Sequence, residues 1–315
     1  MPANQNPLGA LPARFRRPRL LIVGFGDVGR RVAALPGMRS QRGPRVLALV
    51  RAREQFASVR ACGAQPLLGD LDAPRSLRRL AGIATRVLHL APPPAREEGA
   101  PGWSEDGRTR ALLRALRLRG LPEAMVYAST TGVYGDCGGA WVDESRPPAP
   151  ATGRARRRAD AERGLRAAGR QSLSMRVSVL RIPGIYANDR EGGTPRARLL
   201  RGTPVLRPED DGFSNHVQAD DLARLMSLAL WRGGPQRIYH ASDDTEMRMG
   251  EYFEWAARLY GLPPPPRISR EQARQQLPAS LLSFMGESRR LRNDRAKREL
   301  GWSLRYPTVA EGLGS

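Results

Sequence analysis

Short apolar runs alternate along the first half of the chain with longer stretches whose apolar positions recur every three or four residues. The runs at 19–23, 46–50, 86–90 and 124–129 are apolar enough to be buried on both faces, as strands of a parallel sheet are. Between them, 29–35, 74–80 and 105–119 carry helical spacing, and this alternation predicts βαβ units. Later strands are predicted at 177–182 and 237–241, and helices at 220–231, 250–260 and 293–300. The run Pro263 to Pro266 admits no helix and reads as a rigid linker. The pattern as a whole predicts an α/β chain on a parallel sheet.

Composition narrows the class. The 315 residues, 40% of them hydrophobic, suffice to bury a core. No apolar run approaches the ~20 residues of a membrane span. The first 18 residues lack the apolar stretch of a secretion signal and are expected to form a flexible tail of a cytoplasmic protein. Cys62 and Cys137 are the only cysteines, and His89, His216 and His240 show no ligand spacing, so neither a disulfide framework nor a metal site is expected. A net charge of +21 attracts phosphates, yet Lys297 is the single lysine among 52 basic residues, which marks a compositional bias toward arginine. The arginines are dispersed and few aromatic residues accompany them, so no specific nucleic-acid partner is expected. An acidic small molecule in a basic cleft suits the charge better.

The first strand runs directly into Gly24-Phe25-Gly26-Asp27-Val28-Gly29, and a helical pattern follows. In that setting Gly24 permits a tight turn, Gly26 lets the backbone approach a pyrophosphate, and Gly29 allows close packing of helix on strand. The helix start offers free N–H groups and a positive dipole end to phosphate. A dinucleotide on a doubly wound Rossmann sheet is the expectation. NAD sites place a carboxylate about 20 residues past the glycine loop. Here the stretch is Leu49-Val50-Arg51-Ala52-Arg53, and Arg51 suits a 2′-phosphate, which favours NADP over NAD.

From this point the order of motifs resembles the extended and atypical branches of the short-chain dehydrogenase/reductase superfamily, of the NAD-dependent epimerase/dehydratase type. Gly69-Asp70-Leu71 follows the third strand, where the resemblance implies that Asp70 and Leu71 flank the adenine. His89-Leu90-Ala91-Pro92-Pro93 ends the fourth, where Leu90, Ala91 and Pro92 would line the cofactor. Tyr127-Ala128-Ser129-Thr130-Thr131-Gly132-Val133-Tyr134-Gly135 is similar to the family's hydroxyl-rich fifth strand, with Ser129 beside the cofactor and Thr130 at the catalytic Ser/Thr slot. Leu180 to Tyr186 resembles the segment beside the substrate. Asn215 to Leu222 resembles a His-Val-x-x-x-Asp-Leu element whose aspartate is expected to cap a helix. The resemblance implies a nucleotide-binding unit at 19–183 and a smaller C-terminal substrate-binding portion at 184–315, of which about 214–242 returns to the sheet. It extends over nearly all of the chain after residue 18 and implies a monomer or homodimer.

The family's Tyr-x-x-x-Lys pair is missing. Aligning Glu162 with the family's acidic residue puts Arg154 at the tyrosine position and Arg158 at the lysine position. No tyrosine lies between Tyr134 and Tyr186, and no lysine precedes Lys297. A guanidinium does not trade protons at physiological pH, although Arg158 can still hold a ribose. Thr130, Ser129 through water, Tyr134 and Tyr186 remain as candidate proton donors, with Thr130, Tyr134 and Arg158 the expected catalytic set. The expected function is an NAD(P)-dependent oxidoreductase or epimerase acting on a small polar or acidic substrate. The alternative is a non-catalytic NADP(H)-binding sensor or scaffold.

Overall fold

The computed structural model describes residues 17–172 and 174–314; most of the expected tail lies outside them. Seven strands form one sheet: β1 (Arg19–Val23), β2 (Arg45–Val50), β3 (Gln65–Leu68), β4 (Arg86–His89), β5 (Ala124–Thr130), β6 (Arg176–Ile182) and β7 (Arg237–His240). Their order is β7-β6-β5-β4-β1-β2-β3, and every neighbouring pair is parallel. Side chains alternate between two cores because successive residues of a strand point to opposite faces. Leu20 and Ile22 of β1 enter one core, Leu21 and Val23 the other, and β2 and β5 divide in the same way.

Helices α1 (Asp27–Ala34), α2 (Phe56–Ala61), α3 (Gly107–Arg117), α4 (Gly153–Arg170), α5 (Ala219–Arg232), α6 (Met249–Leu259) and α7 (Asp294–Leu300) are the principal ones. α1, α5 and α7 supply the first core, α3 and α4 the second, which is the doubly wound arrangement. α3 is shorter than the expected 105–119 because the Asp106 carboxylate accepts from the Thr109 N–H at 3.1 Å and fixes its start. The 74–80 segment forms 3₁₀ turns opened by Pro74, and Leu77 and Leu80 are still buried. β7 lies in the 214–242 stretch expected to return to the sheet, and it pairs with β6.

The aspartate expected to cap α5 does not. Gln218 takes that role, accepting from the Asp221 N–H at 3.3 Å and also from the Asp220 N–H. Asp221 is fully buried and instead accepts from the Arg305 and Tyr306 N–H groups at 2.8 and 2.9 Å, tying the C-terminal tail to the sheet layer. A smaller lobe gathers around α6, where Tyr186, Leu199, Val205, Tyr252 and Phe253 share a core of their own. Short ladders stitch it together, among them 184–186 on 216–218 and 205–206 on 267–268.

Candidate active site

Between β1 and β4 the winding of the sheet reverses, and ligands of such sheets bind outside the carboxyl ends of the strands at that point. A cleft of about 550 Å³ lies there. Its first wall is the glycine turn. Gly24 has φ of +94°, and a Cβ on it would sit 2.6 Å from the Ala91 nitrogen. A Cβ on Gly29 would lie 3.1 Å from the Gly24 oxygen and 3.3 Å from Ile22 Cγ2, so this glycine seats α1 on β1. A Cβ on Gly26 would meet nothing within 4 Å. Gly26 thus faces open space at the start of α1, a cradle that any side chain would fill, and the turn fits a dinucleotide pyrophosphate.

All the residues expected to bind the cofactor line this cleft: Gly24, Gly26, Asp27, Val28, Gly29, Arg51, Asp70, Leu71, Leu90, Ala91, Pro92, Ser129 and Arg158. Two of them behave differently from a simple ligand set. The Asp27 carboxylate pairs with Arg31 at 3.1 Å and with Arg190 at 2.5 Å, leaving its backbone to face the cradle. Arg31 also reaches Asp189 and Asp220, each at 2.6 Å, and clamps the 187–190 loop and α5 to α1. Arg51 is exposed at the rim, and Arg30 and Gln55 line the cleft with it. The nearby Asp72 is held by Arg108 through two hydrogen bonds of 2.8 and 2.5 Å, which lower its carboxyl below the ordinary range.

The end of β5 decides which hydroxyls are free. Ser129 is buried and donates to Glu162 at 2.5 Å. Glu162 also forms a buried bidentate pair with Arg181, at 2.7 and 3.2 Å. Tyr134 is not in the cleft: it is 1% exposed, its hydroxyl lies 2.6 Å from His240 Nε2, and the Arg181 guanidinium covers its ring. Burial pushes that phenol up to about 12. The expected catalytic role for Tyr134 is therefore corrected to a packing role, because β7 and its His240 close over it. Tyr186 is likewise buried and donates to the Thr308 carbonyl at 3.2 Å. Thr130 alone of the four candidate donors opens on both the cleft and a second cavity. Its Oγ1 accepts from the Gly132 N–H at 3.2 Å, which leaves its own proton available. Arg158 lies along β5, donating to the Ala128 carbonyl and, at 3.4 Å, to the Tyr127 hydroxyl.

The second cavity, about 680 Å³, lies between the sheet and the smaller lobe. It shares Thr130, Arg154, Pro183, Ile185 and Arg190 with the first, so the two meet at the end of β5. A model of the NAD dependent epimerase/dehydratase family matches residues 20–241. The chain belongs to that family. A 3-diazoavenalumate denitrifying reductase from Streptomyces sp. is 28% identical, over 94% of this chain and 99% of that one. A conserved protein of unknown function from Silicibacter pomeroyi DSS superposes with a TM-score of 0.75 at 29% identity, covering 94% and 97% of the two chains. A double mutant of dTDP-glucose 4,6-dehydratase from Streptomyces venezuelae, with NAD bound, gives 0.72 at 22% identity over 94% of each chain.

As an epimerase/dehydratase family member the chain has the parallel sheet, the glycine turn and a hydroxyl-rich β5. Sequence reasoning overlooked Arg30, Gln55, Arg108 and Arg190 on the cleft wall: Arg30 directly follows the glycine motif and could have been found from it, while the other three stand in no motif. It also missed that Glu162 occupies the Ser129 hydroxyl.

Proposed function

We propose that this family member is an NADP(H)-dependent oxidoreductase that acts on a small acidic substrate without a tyrosine general acid. The observation that carries the reading is the junction of the two cavities at Thr130, Arg154 and Arg190: a hydroxyl and two guanidiniums stand where a nicotinamide in the first cavity would face a substrate in the second. When bound, the reduced cofactor supplies a hydride. Thr130 donates a hydrogen bond to the substrate atom that gains electron density, and Arg154, permanently charged, stabilises the anion that develops there. Arg158, reaching from α4 across the end of β5, holds the ribose end. Ser129 stays committed to Glu162, so the final proton comes from solvent. Preference for NADP(H) is supported by Arg51 and Arg30 on the rim and by the pairing of Asp72 with Arg108. The reductive direction is supported by the relative named as a reductase.

Calorimetric titration with NADPH, NADP, NADH and NAD, repeated on Arg51→Asp, tests the cofactor assignment. The expected result is NADPH selectivity that falls by about ten- to a hundredfold in the variant, the value of a lost charge-assisted pair, with NADH little changed. Equal affinities for NADPH and NADH in the unaltered protein would remove the 2′-phosphate role of Arg51. Tight NADPH binding with no turnover across a broad carbonyl and carboxylate panel would favour a cofactor sensor.

A further inference from the structure

The second cavity has an uneven wall. Most of its polar side chains are already engaged within the protein. Thr152 accepts from the Ala155 N–H at 3.2 Å and caps α4. Ser214 lies 2.9 Å from His216 Nε2. The Asn215 amide spends its nitrogen on the Arg289 carbonyl and its oxygen on the Leu291 N–H, at 2.9 and 3.2 Å. Glu287 is the one carboxylate on the wall, and it pairs with Arg289 at 2.9 Å.

What remains is aromatic surface, the hydroxyls of Thr130, Thr131, Ser283 and Tyr252, and two cations. Phe213, Tyr252, Phe253 and Phe284 line the chamber. None of the hydrogen bonds or ion pairs among the described residues involves the Arg154 or Arg198 guanidinium. Arg198 stacks its guanidinium over the Phe253 ring at 4.2 Å, with Nε and Nη2 shut from solvent and lacking an acceptor. Those two atoms form the side-on edge with which an arginine grips both oxygens of a carboxylate. An arginine does not escape burial by losing its proton, so the unmet edge is unfavourable until an anion meets it. Arg198 itself lines the chamber, so an anion there would meet this edge once the side chain turned about its own torsions.

We propose that the second cavity is the seat of a small aromatic carboxylate, its ring among the phenylalanines and its carboxylate on Arg198, with Arg154 beside the reacting end. This rests on the oxidoreductase reading for the purpose of the site, but its test does not need turnover. The full chain, with and without saturating NADP, is titrated calorimetrically with cinnamate, its neutral amide, inorganic phosphate and dTDP-glucose. Cinnamate is expected to bind about ten- to a hundredfold more tightly than cinnamamide, the margin of a charge-assisted bidentate contact. Arg198→Met is expected to remove that margin, weakening the acid and sparing the amide, while NADPH affinity stays within twofold. The comparison of acid with amide uses the unaltered protein and so stands even if the variant fails to fold. Equal binding of acid and amide, or no binding of either, would overturn the proposal. Phosphate binding as tight as cinnamate would reduce the chamber to a bare anion site, and tighter binding of dTDP-glucose in competition with cinnamate would make it a nucleotide-sugar pocket; either result overturns the aromatic assignment. Loss of NADPH selectivity in Arg51→Asp with cinnamate binding intact would separate the two readings.

Discussion

Single residues in this molecule divide by what a neighbouring atom leaves them free to do. Ser129 and Thr130 are adjacent hydroxyls on one strand, yet Glu162 takes the proton of the first and only the second faces both cavities. The glycines divide in the same way. Gly24 and Gly29 are demanded by the fold, one by its positive φ and its contact with Ala91, the other by the packing of α1 on β1. Gly26 has φ of −86° and open space at its Cβ position, so nothing in the fold requires it. Gly26→Val is therefore expected to leave the unfolding free energy in urea nearly unchanged, within about 0.5 kcal/mol, and to abolish NADPH binding by filling the cradle. A calorimetric titration beside a urea melt checks both halves, and a variant that still binds NADPH would show that no phosphate passes Gly26. The places of Gly24 and Gly29 were legible in the sequence because the turn is local. The burial of Tyr134 was not, since its partner His240 lies 106 residues away.

Among the elements, the turn after β7 carries the least comfortable charge. Asp243 is 4% exposed, its Oδ1 accepts from the Thr245 N–H at 3.0 Å, and its Oδ2 has no partner among the described residues. Burial raises its carboxyl to about 8, against the 3.8 of an ordinary aspartate. The folded state thus keeps a proton that the unfolded chain gives up near pH 4. Its contribution to stability is full below that pH and is lost as pH rises toward 8, at about 1.4 kcal/mol per unit. Asp243→Asn is expected to remove this slope and to be the more stable protein at pH 8, relative to the unaltered chain at the same pH. Urea melts at pH 5 and pH 8 measure it, and parallel pH dependence in the two proteins would refute the assignment. The helix starts show the same gap between pattern and contact. Periodicity found α5, but its cap is Gln218, because Asp221 is drawn away to the Arg305 and Tyr306 amides.

At the scale of the whole molecule, the charge of +21 belongs to a chain in which many arginines already hold acids, Arg31, Arg108 and Arg267 toward the outside and Arg181 in the interior. Binding to duplex DNA of random sequence is expected only as a field effect, detectable at about 50 mM salt and falling by orders of magnitude by about 200 mM. Fluorescence anisotropy with two unrelated duplexes tests this, and sequence preference that survives at the higher salt would contradict it. No helix among the described residues is long and apolar enough to cross a membrane. The alternation of apolar runs with helical spacing determined the parallel α/β sheet, because strands buried on both faces must be continuous in apolar character and that character is written locally. The glycine turn and the expected residues that line the first cleft were legible for the same reason: they stand at or near the ends of strands, and strand ends of a parallel sheet converge on one edge. The second cavity was decided by the tertiary structure alone. Arg154, Arg198, Phe213 and Phe284 come from four separate segments of the chain, and which arginines are left without an acid depends on which carboxylates the fold brings to the others. In a chain with so many arginines, no spacing along the sequence marks the ones that remain unpaired.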